Sequence, residues 1–136
     1  MKLEDINFNT AVPLRPSEYL ANWGKMLKKN PKAWTQKVFA RDGKGNPTDW
    51  FDPKAKCWCI EGLIAKDTAQ LDARLVGLLR QALSLGMQPR LYRFALITYN
   101  DRLSSPEEML AWLRRAWKEA KALEHNNPLI EEFYEK

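Results

Sequence analysis

From Ser105 onward the chain carries a helix that cannot stand alone. Ser105 is a helix-capping residue, Pro106 suits the first helical position, and Glu108 completes a capping box. Met109, Leu110, Trp112, Leu113, Ala116, Trp117, Ala120 and Leu123 then recur at three- and four-residue spacing, an apolar stripe about five turns long. Such a stripe has to be covered. Two other segments carry apolar helical faces of their own. Pro16-Ser17-Glu18 opens a helix with Tyr19, Leu20, Trp23, Met26 and Leu27 on one face, and Asn30-Pro31 ends it. Residues 67–85 form a second, with Leu71, Leu75, Leu78, Leu79, Ala82 and Leu83 on its apolar face and Gly86 at its C-terminal cap.

The segment between these helices is different. Residues 34–41 alternate well enough for a short strand, and Asp42-Gly43-Lys44-Gly45-Asn46-Pro47 is strong turn chemistry. Residues 48–51 would complete a hairpin, Asp52-Pro53 starts a short helical turn, and residues 57–65 read as a buried helix. Residues 91–98 suit a strand or a helix, and Asn100-Asp101-Arg102 suits an Asx-type turn. The expected fold class is α+β: a mostly helical single domain, residues 1–136, with a small β-hairpin. Residues 1–15 read as a loose N-terminal segment and 124–136 as an acidic C-terminal tail. The expected core holds Leu20, Trp23, Leu27, Trp58, Leu63, Leu75, Leu79, Leu110, Leu113 and Trp117.

Composition narrows the function classes. Hydrophobic residues at 45% and charged residues at 29% suit a soluble globular protein. No apolar run approaches the ~20 residues that span a bilayer. The start, Met1-Lys2-Leu3-Glu4-Asp5, carries acids and lacks the apolar core of a signal peptide, so a cytoplasmic protein is expected. Cys57 and Cys59 with a distant His125 do not make a tetrahedral zinc site, and they read as reduced, packed thiols. No nucleophile–base pair, phosphate loop or dinucleotide-binding glycine pattern is present. The reading is therefore no catalytic residue, no metal site and no cofactor.

Binding chemistry is better represented. Six tryptophans are many for this length, and Trp34 and Trp50 flank the hairpin turn, where an indole can stack on a base or sugar. Arg41, Arg102 and Arg115 offer guanidinium forks that match phosphate oxygens, and Gln36 and Asn100 offer amides. Arg41-Asp42 reads as a local ion pair. A small anionic ligand would then sit between the hairpin and the start of the last helix, lined by Trp34, Gln36, Arg41, Asn100, Arg102 and Arg115. A second possibility follows from the net charge of +5 and the acid-free stretch holding Lys25, Lys28, Lys29, Lys32 and Lys37, which would suit nucleic acid. The stripe Trp112, Leu113, Ala116, Trp117 and Ala120 packs either inside one subunit or in a symmetric homodimer.

Trp-Thr-Gln at 34–36, Phe-Ala-Arg-Asp at 39–42, Trp-Cys at 58–59 ahead of Gly62-Leu63, and Asn-Asp-Arg at 100–102 before a Ser-x-Glu-Glu helix form one pattern. It resembles an uncharacterised family of small proteins found in actinobacteria, other bacteria and their phages, over roughly residues 17–123. Small phage proteins that sequester nucleotide immune signals are a looser analogy of size and ligand chemistry. The family carries no agreed activity; its viral setting, with the missing catalytic groups and the clustered Trp and Arg residues, leads to the expectation of a phage-type counter-defence protein acting in the host cytoplasm by occupancy on a nucleotide-like anion or a host defence protein. The Lys-rich stretch 25–37, the region 67–89 and the acidic tail depart from the family pattern.

Overall fold

A computed structural model describes residues 14–88 and 95–134. It is 63% helical, an α+β domain with six helices and a small antiparallel sheet. The order is α1 (Pro16–Lys29), a 3₁₀ turn (Pro31–Ala33), β1 (Ala40–Asp42), β2 (Pro47–Thr48), β3 (Ala55–Trp58), α2 (Ile60–Thr68), α3 (Ala73–Leu85), α4 (Leu96–Arg102), α5 (Pro106–Glu124) and α6 (Pro128–Tyr134).

The three long helices pack on one another as the stripes require. α5 is the centre, and its Met109, Trp112, Leu113, Ala116 and Ala120 are buried against α1 and α3. Ser105 accepts the Glu108 N–H at 3.2 Å, while the Glu108 carboxylate takes the Ser104 N–H at 2.7 Å. α1 runs antiparallel to α5, because Ser17 near its start donates its N–H and hydroxyl to Glu124 at 2.8 and 2.7 Å. α3 comes close to α5 at its C-terminal end: a Cβ on Gly86 would lie 2.8 Å from the Ala116 nitrogen. Trp112, fully buried, ties the same junction by donating its indole N–H to Leu83 O at 2.9 Å.

Several boundaries differ from the sequence reading. The sheet has three strands, in the order β2-β1-β3. β1 pairs antiparallel with both neighbours, Ala40 facing Thr48 on one side and Trp58 on the other, with an irregularity between Arg41 and Asp42. Most of 34–41 is irregular, and only Trp34 forms an isolated parallel bridge, to Trp58. Residues 57–58, expected to start a helix, belong to β3, and the helix waits for Ile60. Cys59 supplies the reason: its thiol caps α2 by accepting the Gly62 N–H at 3.3 Å. The single helix over 67–85 is two, parted at residues 69–72, where Asp72 caps α3 through the Arg74 N–H at 2.8 Å. Asn100-Asp101-Arg102 is helical rather than an Asx turn, and the described part of 91–98 enters that helix at Leu96. The acidic tail contains α6, seated by buried Ile130. Of the loose segment 1–15, residues 1–13 lie outside those described.

Seven of the ten expected core residues are buried. Trp58 and Leu110 are half-buried against the core, and Trp117 is 39% exposed. Trp117 lies on the edge of the α5 stripe, beyond the width that α1 and α3 cover.

Candidate functional site

The hairpin and α4 are held together by Asn100, a side chain with no exposure. Its amide oxygen accepts the Trp34 indole N–H at 2.9 Å and the Ile60 N–H at 3.0 Å. Its amide nitrogen donates to Thr35 O and to the Asp101 carboxylate, both at 3.1 Å. Gln36 joins the same seam from the other chain segment, donating to Asn100 O at 3.0 Å and Leu103 O at 2.7 Å. Every polar atom of Asn100 is thereby satisfied, as a buried amide requires.

α2 fits against the same seam. A Cβ at Gly62 would sit 2.2 Å from Phe39 O, so only glycine admits this approach of helix to hairpin. Phe39 O also accepts the Cys59 N–H at 3.1 Å, and Thr35 N–H donates to Trp58 O at 3.1 Å. Burial pushes the Cys59 thiol above its ordinary pKa, which keeps it a neutral cap. Lys66 lies over the Trp58 ring, 4.9 Å from its centroid. The four motifs of the sequence pattern therefore meet in one place and hold three elements together.

Arg41 serves the hairpin turn and not an ion pair with Asp42. Its guanidinium donates to Thr35 Oγ1 at 2.8 Å, Gly45 O at 3.1 Å and Gln36 O at 3.1 Å. Asp42 instead accepts the Lys44 and Asn46 N–H groups at 2.9 and 3.0 Å. Those backbone donors, Asn46 foremost, hold its carboxyl below the usual range. Three of the five guanidinium N–H groups of Arg41 are used, leaving two beside a cleft.

That cleft, about 350 Å³, is lined by Trp34, Thr35, Gln36, Lys37 and Arg41. A second, about 630 Å³, is lined by Lys37, Val38, Phe39, Pro47, Thr48, Asp49 and Ile97. Lys37 belongs to both. Its backbone is left-handed, φ 71°, and its N–H is pinned by Asp101 at 2.7 Å. A non-glycine residue in that region is held there by its surroundings, at a cost of about 1–2 kcal/mol. Phe39 stands 54% exposed in the larger cleft. Lys37 entered the sequence reading only among the lysines, and Phe39 not at all as a ligand contact, since neither a positive φ nor an uncovered ring leaves a mark in the sequence here.

The structure thus brings Trp34, Gln36, Arg41 and Asn100 together. Arg102 is exposed in the last turn of α4. Arg115 belongs to a different junction, donating to Gly86 O at 2.7 Å and Tyr99 Oη at 3.2 Å. Of the lysines, Lys25, Lys28 and Lys29 lie exposed on α1 and Lys32 on the 3₁₀ turn, while Lys37 is at the hairpin. Trp112, Leu113, Ala116 and Ala120 are buried inside the subunit. Among the described residues there is no cluster of three His, Cys, Asp or Glu side chains to hold a metal, and no helix long and apolar enough to cross a membrane. Comparison with protein-family models, curated proteins and solved structures finds no match.

Proposed function

We propose that the protein is a non-catalytic binding protein that works by occupancy, and that it takes a ring-bearing anion, such as a nucleotide, on the hairpin clefts. The observation that carries this reading is Lys37. A left-handed backbone pinned by Asp101 places Lys37 in the lining of both clefts, with Arg41 lining the smaller and the exposed Phe39 ring the larger. Phosphate oxygens suit the cations, a base suits the Phe39 face, and Thr48 and Asp49 offer acceptors for its N–H edge. Trp34 and Gln36 line the smaller cleft with their polar groups already engaged, and buried Asn100 holds them in place. The family resemblance suggests the setting: a phage-type counter-defence factor that removes a nucleotide signal in the host cytoplasm.

A thermal-shift screen of linear and cyclic nucleotides tests this. A ligand at about 100 times its Kd stabilises by roughly 2.7 kcal/mol, moving the midpoint by several degrees. Lys37→Gly keeps the left-handed backbone and removes the cation, so it should abolish the shift, and Phe39→Ala should weaken it. No shift with any nucleotide sinks the reading and leaves occupancy of a host protein in its place. A shift that both variants retain puts the ligand elsewhere.

Nucleic acid is the second reading, favoured by the exposure of Lys25, Lys28, Lys29 and Lys32 along α1 and the turn after it. Binding that is strong at 50 mM salt and collapses by about 200 mM would favour it, since each phosphate contact releases counterions.

A further inference from the structure

The groove between α1 and α5 has the chemistry of a helix-docking site. Its volume is about 320 Å³, and its floor and walls are Leu20, Ala21, Gly24, Leu110 and Leu113, with Trp117 at one side. Lys25, Lys28 and Arg114 are its only charged lining residues. We propose that it docks an acidic amphipathic helix from a partner protein. This rests on other residues than the hairpin clefts, so the two proposals stand or fall separately.

Charge complementarity selects the partner's sign. Three cations from two helices, Lys25 and Lys28 on α1 and Arg114 on α5, flank an apolar trough, and no carboxylate is among its described lining residues. Shape selects a helix. Gly24 leaves one turn of α1 without a side chain, and a Cβ there meets nothing within 4 Å. The trough from Leu20 to Lys28 is therefore open along eight residues, roughly 12 Å. That length accepts two or three apolar side chains at i, i+3 or i+4, and i+7, the spacing by which amphipathic helices enter grooves. Nucleic acid fits less well, because the space between the cations is apolar and offers no donor to a sugar or phosphate.

A Cβ at Gly24 meets nothing within 4 Å, so Gly24→Leu should project into the groove from an unclashed backbone, and circular dichroism checks that the fold is kept. The probe is a synthetic fluorescent helix with Leu at i, i+3 and i+7 flanked by Glu. Two control peptides carry Ser for Leu or Lys for Glu, and a duplex and a single-stranded oligonucleotide complete the set. Fluorescence anisotropy on the full chain should show micromolar binding of the acidic peptide. Affinity should fall at least about tenfold for Gly24→Leu and for Lys25→Glu with Arg114→Glu, and both control peptides should fail. Absence of binding by the acidic peptide overturns the proposal. So does binding that Gly24→Leu leaves unchanged, and so does preference for an oligonucleotide over the acidic peptide.

Discussion

The helix bundle and the hairpin seam are built by opposite means. α1, α3 and α5 meet mainly through Leu20, Leu27, Leu79, Leu83 and Leu113, side chains that need only be apolar and about the right size. The seam meets through Asn100, Gln36, Thr35 and Gly62, where a donor must face an acceptor and a Cβ must be missing. A bundle tolerates substitution of one apolar residue for another. A polar seam does not, because each of its groups is desolvated and depends on one partner. The difference teaches that a motif of unusual residues can be spent on architecture, with its polar groups turned on one another.

The largest test removes one residue from each region. Asn100→Ala strands the Trp34 indole N–H, the Ile60 N–H and the Thr35 carbonyl, and should cost about 3–5 kcal/mol in urea unfolding. Leu79→Ala in the bundle should cost a similar amount, about 2–5 kcal/mol, by leaving a cavity. Asn100→Leu, close in size to the native residue, should fare no better than Asn100→Ala, whereas Leu79→Met should cost less than about 1.5 kcal/mol. Equal tolerance at the two positions would break the comparison.

Each region also has one glycine at a backbone crossing. Gly62→Ala should cost about 1–3 kcal/mol as the hairpin shifts away from α2, and Gly86→Ala a little less, its clash with Ala116 being 2.8 Å against 2.2 Å. Crystal structures of both variants would show which element moves.

Smaller effects come from pH, in acid at the hairpin carboxylates and the Asp72 cap of α3, and in base at the buried thiol and tyrosines. Asp42 and Asp52 have lowered carboxyl pKa values, Asp42 through the Asn46 N–H and Asp52 through the Thr48 hydroxyl. A lowered folded pKa gives stability above the unfolded value that is lost as pH falls through the folded one. The hairpin and the Asp72 cap of α3 should therefore loosen first in acid. Burial raises the pKa of Tyr19 on α1 and Tyr134 on α6, so their contribution is whole below about pH 10 and is lost above it. Cys59, whose thiol pKa burial also raises, begins to lose its contribution at a lower pH than the tyrosines, so in base the α2 cap should loosen before the α1–α6 contact. Amide exchange across the pH range reads both, and a reversed order would contradict the assignment.

The smallest expected effect is Lys37→Gly, which should stabilise by about 0.5–1 kcal/mol by relieving the left-handed backbone. A loss of stability would mean that the lysine side chain holds its own cleft together.

Legibility followed the same division. The bundle could be read because burial on a helix repeats every three or four residues, and the Ser105 cap and the Pro31 stop marked its ends. Trp117 misled because periodicity places a residue on a face without saying how far the neighbours reach across it. At the seam the sequence singles out residues that meet in space, without showing what they meet. Trp34, Gln36, Arg41 and Asn100 were assigned to a ligand, yet most of their polar groups face one another across more than sixty residues of chain. Nothing local encodes that pairing. Cys59 was hidden for a related reason: a cysteine cap is rare enough that the strand before it was read as helix.

One contact joins the far ends of the described chain. Tyr134 Oη donates to Leu14 O at 2.6 Å across 120 residues, and Arg15 lies 5.1 Å from the Tyr134 ring centroid. The backbone from Leu14 to Tyr134 is topologically a ring held shut by a clasp. The entropy of closing so long a loop rises only with the logarithm of its length, but no part of it is recovered until the clasp and the α1–α5 pairing form. Folding should therefore begin with the locally connected hairpin and α2, and complete the ring late. The same proximity means that the chain can be re-cut: a permutant joining Tyr134 to Leu14 through a short linker and opened at the exposed turn residue Gln70 would leave the hairpin intact, turn that late step into a local one, and should fold faster to the same structure.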